Sequence, residues 1–389
     1  MECFPVPTSE IVALTQALVR IPSQGGIDDC RQVIALLESW LEENSIKSRI
    51  LRRDGVEVGV LATVDSEKPG PTVCLDAPID TAPIGRTDDW TDPPLSGMLK
   101  NDRIYGRGAA DCKVAASIFC HLARQLSSTR SVQSGTLHIL LEADEHTGNF
   151  GCIKQLLDEG IQPSFLAIGY PGNYGVVVGA RGFLRLRIKV IGKNAHSGSK
   201  KETNSENALL KAAALVVLLS QLSFPSEEDP DFSFGPKLSV TAFECGSGFS
   251  QVPGEATINV DIRLTPGFDA EAARSLVINV VRHHDIAMST VRETEVDELK
   301  TWPAYKLAPD HFYSNSLRKA AERILGRDVP PVVCGPSNIA NFLAGRGVES
   351  TCGFGVTYRN IHASDEYVEV LTIEPIYRSY KSAVEEWLG

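Results

Sequence analysis

Four short segments of this 389-residue chain gather the side chains that do chemistry. They are Pro78-Ile79-Asp80-Thr81, then Gly106-Arg107-Gly108-Ala109-Ala110-Asp111-Cys112-Lys113, then Glu142-Ala143-Asp144-Glu145-His146-Thr147-Gly148, and, far along the chain, Ile361-His362-Ala363-Ser364-Asp365-Glu366. Carboxylates and imidazoles are the groups that hold divalent ions and move protons near neutral pH. Singly, each has a plainer reading. Asp111 can cap a helix after its Gly-rich turn, Glu145 can be a solvated charge, His146 can fill space, and His362 beside Asp365 can sit on a surface loop. His196, in Gly192-Lys193-Asn194-Ala195-His196, can simply satisfy a loop carbonyl. Cys74 and Cys112, next to these segments, read by default as buried free thiols, with a soft metal ligand as the other reading.

The elements that must position these groups follow from the hydrophobic pattern. Helices over 9–20 and 29–43 precede strands at 49–52 and 58–63, and a buried strand at 72–75 runs into the Asp80 loop. A helix opens at Asp111, a strand spans 136–141, and a helix follows Asn149. Three of the four segments thus come after strand ends, where open α/β sheets bind their ligands. The alternation predicts an α/β domain with a mixed, mostly parallel sheet flanked by helices. From Arg181 the order becomes strand 183–191, helix 206–222, strands 237–243 and 256–264, helix 270–283 and strand 289–291, the βαββαβ order of a ferredoxin-like domain. After Trp302-Pro303 the first style returns, with a helix at 314–325, a strand at 350–354 and a last helix from Pro375. The expectation is therefore one domain of residues 1–180 and 296–389, interrupted by a second at 181–295. Residues 226–236, rich in acid, Pro and Ser, read as a loop.

Composition narrows the partners. With 43% hydrophobic and 22% charged residues, the chain can build two cores. A formal charge of −11 argues against nucleic acid and anionic membranes, which need clustered Lys and Arg, and in favour of a small-molecule substrate. Nine Cys without a CxxC pair suit free thiols in a reducing compartment. The start Met-Glu-Cys-Phe-Pro lacks a basic, continuously apolar leader, and no run approaches the roughly 20 apolar residues of a membrane span. The expected location is cytoplasmic.

Taken in order, these segments resemble a known family. LDAPIDTAPIG (75–85) with WTDPPLSGMLKNDRIYGRGAADCK (90–113), EADEHTGNFG (142–151), GARGFLRLRIKVIGKNAHSG (179–198) and GFGVTYRNIHASDEYVEV (353–370) are similar to motifs of the M20 metallopeptidase/amidohydrolase family. That family includes acetylornithine deacetylase, succinyl-diaminopimelate desuccinylase and carboxypeptidase G. The resemblance implies a catalytic domain with an inserted ferredoxin-like lid that also serves dimerisation. It implies two zinc-type ions bridged by one Asp, here Asp111. One ion is also held by a Glu and the C-terminal His, here His362; the other by an early His and a further acid. Glu145 falls at the general base and His196 at the lid histidine that reaches the scissile carbonyl. Arg181 matches a position that in some members binds a substrate carboxylate, with a structural salt bridge as the alternative. Asn338, in GPSNIANF (335–342), matches a pocket position, with helix capping as the alternative.

Three positions depart from the family pattern: Pro78 stands at the early His, His146 at the Glu ligand and Tyr170, in IGYPG (168–172), at the second ion's acid. Asp111, His146 and His362 remain a two-His, one-carboxylate set, whereas a tyrosine phenol stays protonated near neutral pH. The expectation is one divalent metal, Zn²⁺ with Co²⁺ or Mn²⁺ as other candidates, and no second ion. Asp80, whose family counterpart orients the early His, loses that partner and is free to bind Lys, water or substrate; it counts, with Glu145 and His196, among the catalytic candidates, and Tyr170 among the substrate contacts. The function expected is amide hydrolysis of an N-acyl amino acid or small peptide-like substrate by a homodimer formed through the lid. A non-hydrolytic binding protein, or acyl transfer or elimination on the same fold, are the alternatives.

Overall fold

The computed structural model describes residues 6–172, 175–198, 206–225, 229–290 and 292–389; Cys3, the 226–228 part of the acid-rich loop and position 291 lie outside the described residues. Two compact units emerge. The first is Met1–Val178, Leu307–Val332 and Arg346–Gly389; the second is Gly179–Lys306 and Val333–Gly345.

The first unit is built on a six-stranded sheet in the order Lys47–Arg53, Val56–Asp65, Thr136–Glu142, Thr72–Pro78, Phe165–Ile168, Ser350–Cys352. The last four strands are parallel, and the 47–65 hairpin lies antiparallel at one edge. Side chains alternate across the strands. Val73, Leu75 and Ala77 join a core with Ile11, Leu18, Phe119 and Tyr380, all fully or almost fully buried. Each such Leu, Ile, Val or Phe contributes about 1.5–3 kcal/mol over an exposed one. Asp76 and Glu142 alternate to the opposite face. There Glu142 accepts the N–H groups of Cys152 (3.0 Å) and Ile153 (3.1 Å). It thereby caps the helix Gly151–Asp158, whose own N-cap, Phe150, supplies no side-chain bond.

One local expectation needs correction. Asp111 does not open a helix: residues 109–113 form an irregular turn in which Asp111 has φ −118° and ψ 83°, and the regular helix is Val114–Thr129. The N–H groups of Ala110 and Asp111 are claimed by Glu366 rather than by a helical ladder.

The second unit has the order strand, helix, strand, strand, helix, strand. Its antiparallel sheet runs Lys237–Cys245, Glu255–Leu264, Gly182–Ile191, Glu295–Trp302. Helices Ala208–Ser220 and Ala270–Ala287 start at Asn207 and Asp269, whose side chains accept the first free N–H groups. The strand expected at 289–291 and the boundary at 295 are both displaced. The second helix continues to Ala287, and Asp285 accepts the Thr294 N–H (2.7 Å) and hydroxyl (2.8 Å) to turn the chain. Only then does the last strand begin. The unit extends to Lys306 because Tyr305 and Lys306 pair with Ala180 and Gly179. Residues 333–345 join it because buried Asn341 donates to the carbonyls of Pro303 (2.8 Å) and Arg181 (3.2 Å). Among the described residues no helix is long and apolar enough to cross a membrane.

Candidate metal centre

Three loops of the first unit meet beyond the carboxyl ends of its parallel strands. The strand Thr72–Pro78 ends one residue before Ile79, and a segment from the N-terminal region straps the loop that follows: Ser23 donates to the Ile79 carbonyl (2.9 Å), the Gly25 N–H to the Thr81 carbonyl (3.0 Å) and the Thr81 N–H to the Ser23 carbonyl (2.8 Å). Asp80 is completely buried there. Its Oδ2 accepts the His146 N–H (2.8 Å), and its Oδ1 faces the Glu145 N–H and His146 Nδ1, both at 3.3 Å. Asp80 has therefore not lost a partner; it holds both the loop and the ring of His146, and stands as a positioning residue.

The turn that carries Asp111 is fixed by charges that sequence reasoning left without a role. Arg107 donates to Glu366 at 2.6 Å with both side chains buried. The other Glu366 oxygen accepts the N–H groups of Ala110 (3.0 Å) and Asp111 (3.3 Å). Lys113, fully buried, donates to the carbonyls of Leu18 (2.9 Å) and Ile21 (3.0 Å). Gly108, at φ +81°, permits the turn, and a Cβ there would lie 2.5 Å from Thr81 Cγ2. The available signal was an Arg and a Glu inside otherwise small-residue motifs, Glu366 four positions after His362.

Asp111, His146 and His362 converge. Asp111 Oδ2 is 2.9 Å from His362 Nε2 and 3.5 Å from His146 Nε2, and one donor atom from each residue lies within 4.8 Å of the others. Tetrahedral ligands about 2.0–2.1 Å from a zinc ion stand roughly 3.4 Å apart, so the set has the right span. The remaining ring nitrogen of His146 faces Asp80 (3.3 Å) and Glu145 (3.2 Å), the carboxylate–histidine arrangement that keeps Nδ1 protonated and Nε2 available. Cys112, also buried, donates its thiol to Asp111 Oδ1 at 2.9 Å. A second group, Asp80, Glu145 and His146, shares the recess.

The electrostatics ask for a cation. Burial works against charge on His146, yet hydrogen bonds to Asp111 and Asp80 push its pKa up to about 11, so that in the protein alone a proton supplies the positive charge. Burial opposes ionisation of Asp111 too, but the two imidazoles hold it well below the usual carboxylate range. Glu145 is pushed up to about 7, by burial first and then by the neighbouring Asp111 and Asp80. Tyr170 donates its hydroxyl to Glu145 Oε1, and burial and that carboxylate push the phenol well above its ordinary value. Behind these, Asp76 is completely buried with neither oxygen hydrogen-bonded to a described residue; burial and the charges of Glu145 and Asp80 push it well up, towards a neutral acid.

The structure thus brings together Asp80, Asp111, Glu145, His146, Tyr170 and His362. The other three candidates belong to the second unit. His196, exposed, pairs with Gln251 and accepts the Gly198 N–H at 3.1 Å. Among the described residues Arg181 makes no salt bridge; it donates to the carbonyls of Gly335 and Gly235, both at 2.9 Å, with its guanidinium 5.4 Å from the Phe234 ring. Asn338 caps the helix Ile339–Ala344 through its side-chain oxygen, reciprocated by Asn341, which is its capping alternative.

A sheet whose strand ends converge on carboxylates and imidazoles is the architecture of a metal-dependent hydrolase, and comparison with known proteins agrees. The family model described as peptidase family M20/M25/M40 matches residues 74–386. This chain belongs to that family. Succinyl-diaminopimelate desuccinylase of Xanthomonas campestris pv. campestris (strain 8004) is 26% identical, covering 98% of this chain and all of that one. The enzyme of the same description from Gluconobacter oxydans (strain 621H) is 26% identical over 81% of each chain. Among solved structures, aminopeptidase PepT from Bacillus cereus superposes with a TM-score of 0.79 (20% identity, 99% and 100% coverage). A Bacillus subtilis protein described as a dinuclear metal binding peptidase of the family gives 0.73 (17% identity, 98% of each chain). The structural likenesses establish the fold; the family as a whole consists of metal-dependent amide hydrolases.

Proposed function

We propose that the chain hydrolyses the amide bond of an N-acyl amino acid or a small peptide-like substrate, using one divalent ion held by Asp111, His146 and His362. Zn²⁺ is the first candidate, with Co²⁺ or Mn²⁺ after it. The observation that carries this reading is the meeting of those three donors beside a largely buried carboxylate, Glu145. An ion in that set would lower the pKa of a bound water to about 7 and polarise a carbonyl. The side chains supply the rest. Glu145 takes a proton from the attacking water and returns it to the leaving nitrogen. Asp80 keeps the His146 ring turned so that Nε2 faces Asp111 and would be available to an ion.

Three observations support one ion rather than two. Pro78 offers no side-chain donor, Tyr170 engages Glu145 through its phenol, and the Cys112 thiol occupies Asp111 Oδ1, the oxygen that a bridging carboxylate would lend to a second ion. Arg181, His196 and Tyr170 are proposed substrate contacts; Asn338, whose oxygen is spent as a helix cap, is the weakest of that group. A cytoplasmic homodimer formed through the second unit is also proposed. The exposed Leu209, Leu210, Val217 and Leu218 on one of its helices support the dimer, since isolated apolar patches of this kind mark association surfaces. The substrate class is a small molecule, with no nucleic acid and no membrane.

A binding protein without turnover is the second reading, favoured by the engagement of Glu145 by Tyr170. Metal content per chain, followed by a panel of N-acyl amino acids and dipeptides, tests the proposal. One equivalent with turnover, and a Glu145→Gln variant that keeps the metal but loses activity, is the expected result. A wild type that holds metal and is inert to the whole panel would leave the binding protein.

A further inference from the structure

Tyr170 stands where the resemblance puts an acid for a second ion, and its hydroxyl points into the recess at Oε1 of Glu145. A phenol cannot hold an ion as a carboxylate does. It can do another part of the work assigned to a second ion: present the positive end of a dipole to a carbonyl oxygen that becomes negative when water adds.

The packing around Tyr170 suits that task. A Cβ on Gly355 would meet the Tyr170 carbonyl oxygen and lie 2.8 Å from Pro171 Cα, and a Cβ on Gly169 would lie 2.5 Å from the Ala115 Cβ. Residues 169–171 are therefore held without free space between the 353–355 loop and the helix Val114–Thr129. The Tyr170 ring packs on the core of the first unit, leaving its hydroxyl as the polar end at Glu145. With the ring and phenol oxygen fixed in advance, only the O–H has to turn at the moment charge develops, which is why such donors are worth more than mobile ones.

We propose that Tyr170 is a catalytic residue whose O–H donates a hydrogen bond to the oxyanion formed from the substrate's amide carbonyl, in place of a second metal ion. The proposal rests on the hydrolase reading above. As the water oxygen bonds to the carbonyl carbon, Glu145 receives the water proton and the carbonyl π electrons move to oxygen. The newly protonated Glu145 is a poorer acceptor, so the Tyr170 hydrogen bond transfers to the oxyanion, with the phenol keeping its proton throughout. The oxygen lone pair then re-forms the C=O bond, the C–N bond breaks, and the Glu145 proton goes to nitrogen.

The test uses zinc-loaded wild type and Tyr170→Phe. Turnover is measured on the panel of N-acyl amino acids and dipeptides. Calorimetry then measures binding of the phosphonyl analogue of whichever substrate the wild type hydrolyses fastest, its tetrahedral phosphorus carrying the anionic oxygen. Loss of one oxyanion donor predicts a fall in kcat of about 10²–10³-fold, a comparable weakening of phosphonate binding, little change in KM, and retention of the zinc. A Phe variant that binds the phosphonate and turns over as the wild type does overturns the proposal and leaves the hydrolase reading intact. A variant that loses its zinc overturns it as well, because Tyr170 would then be holding the metal. A wild type inert to the whole panel removes the hydrolase reading and this proposal with it.

Discussion

Replacing Asp80 by Asn should separate the support of His146 from its chemistry. The Asp80 carboxylate faces three N–H groups: the His146 backbone at 2.8 Å, the Glu145 backbone at 3.3 Å and His146 Nδ1 at 3.3 Å. An amide keeps one acceptor and turns the other into a donor. If the NH₂ replaces Oδ1, it confronts Nδ1–H, and the imidazole avoids the clash only by moving its proton to Nε2, the nitrogen meant for the ion. If it replaces Oδ2, a buried backbone N–H loses its acceptor, which costs about 1–3 kcal/mol of stability. Removal of the outer carboxylate from a metal-ligating His lowers metal affinity about 10–100-fold, equivalent to about 1.4–2.8 kcal/mol. Competition for Zn²⁺ against a chromophoric chelator measures the affinity, and urea unfolding of the metal-free protein measures the stability. Zinc affinity equal to that of the wild type would refute the reasoning, because His146 would then not depend on Asp80 to present Nε2.

Other consequences are open to measurement. Truncating Arg107 to Met leaves Glu366 buried without its counter-charge and should lower unfolding stability by about 3–5 kcal/mol by urea titration; a loss under 1 kcal/mol would mean that Glu366 is neutral in the fold. His362→Ala should abolish stoichiometric zinc by elemental analysis, and unchanged metal content would strike His362 from the ligand set. Because His146 is pushed up to about 11, it is protonated at pH 8 without metal and must release that proton to ligate. Calorimetry in buffers of differing ionisation enthalpy should then show on the order of one proton released, with apparent affinity rising as pH rises towards that value. Pro78→His combined with Tyr170→Glu should admit a second equivalent of metal; if it does not, the Cys112 thiol on Asp111 Oδ1 is the group to change next.

The sheet and the clustered donors are legible in the sequence because both are written locally. The apolar run before Asp80 announces a buried strand, and the Gly-rich turn before Asp111 announces a tight approach. What stays hidden is decided by partners far along the chain. The role of Asp80 depends on His146, 66 positions away, and that of Glu366 on Arg107, 259 positions away. The strand Glu295–Trp302 escapes pattern reading because it is a charged strand at the end of its sheet, paired among the described residues with Gly182–Ile191 alone, whose alternation is masked by Glu, Asp and Lys. Residues 333–345 carry nothing that reports their unit; bonds to partners far along the chain, from Asn341 to Pro303 and between Arg181 and both Gly335 and Ser337, decide it.

Lys113 ties a distant helix to the chemistry of the Asp111 turn. Its ammonium rests on the carbonyls of Leu18 and Ile21, at the far end of the helix Thr8–Val19, where the helix dipole favours a cation. Without that helix the ammonium beside the Asp111 turn would be buried with no acceptor from the 18–21 segment. The segment 8–21, which contributes no reacting group, is thus a precondition for the Asp111 turn to set. A chain lacking residues 8–21 would have to assemble the centre around a stranded charge.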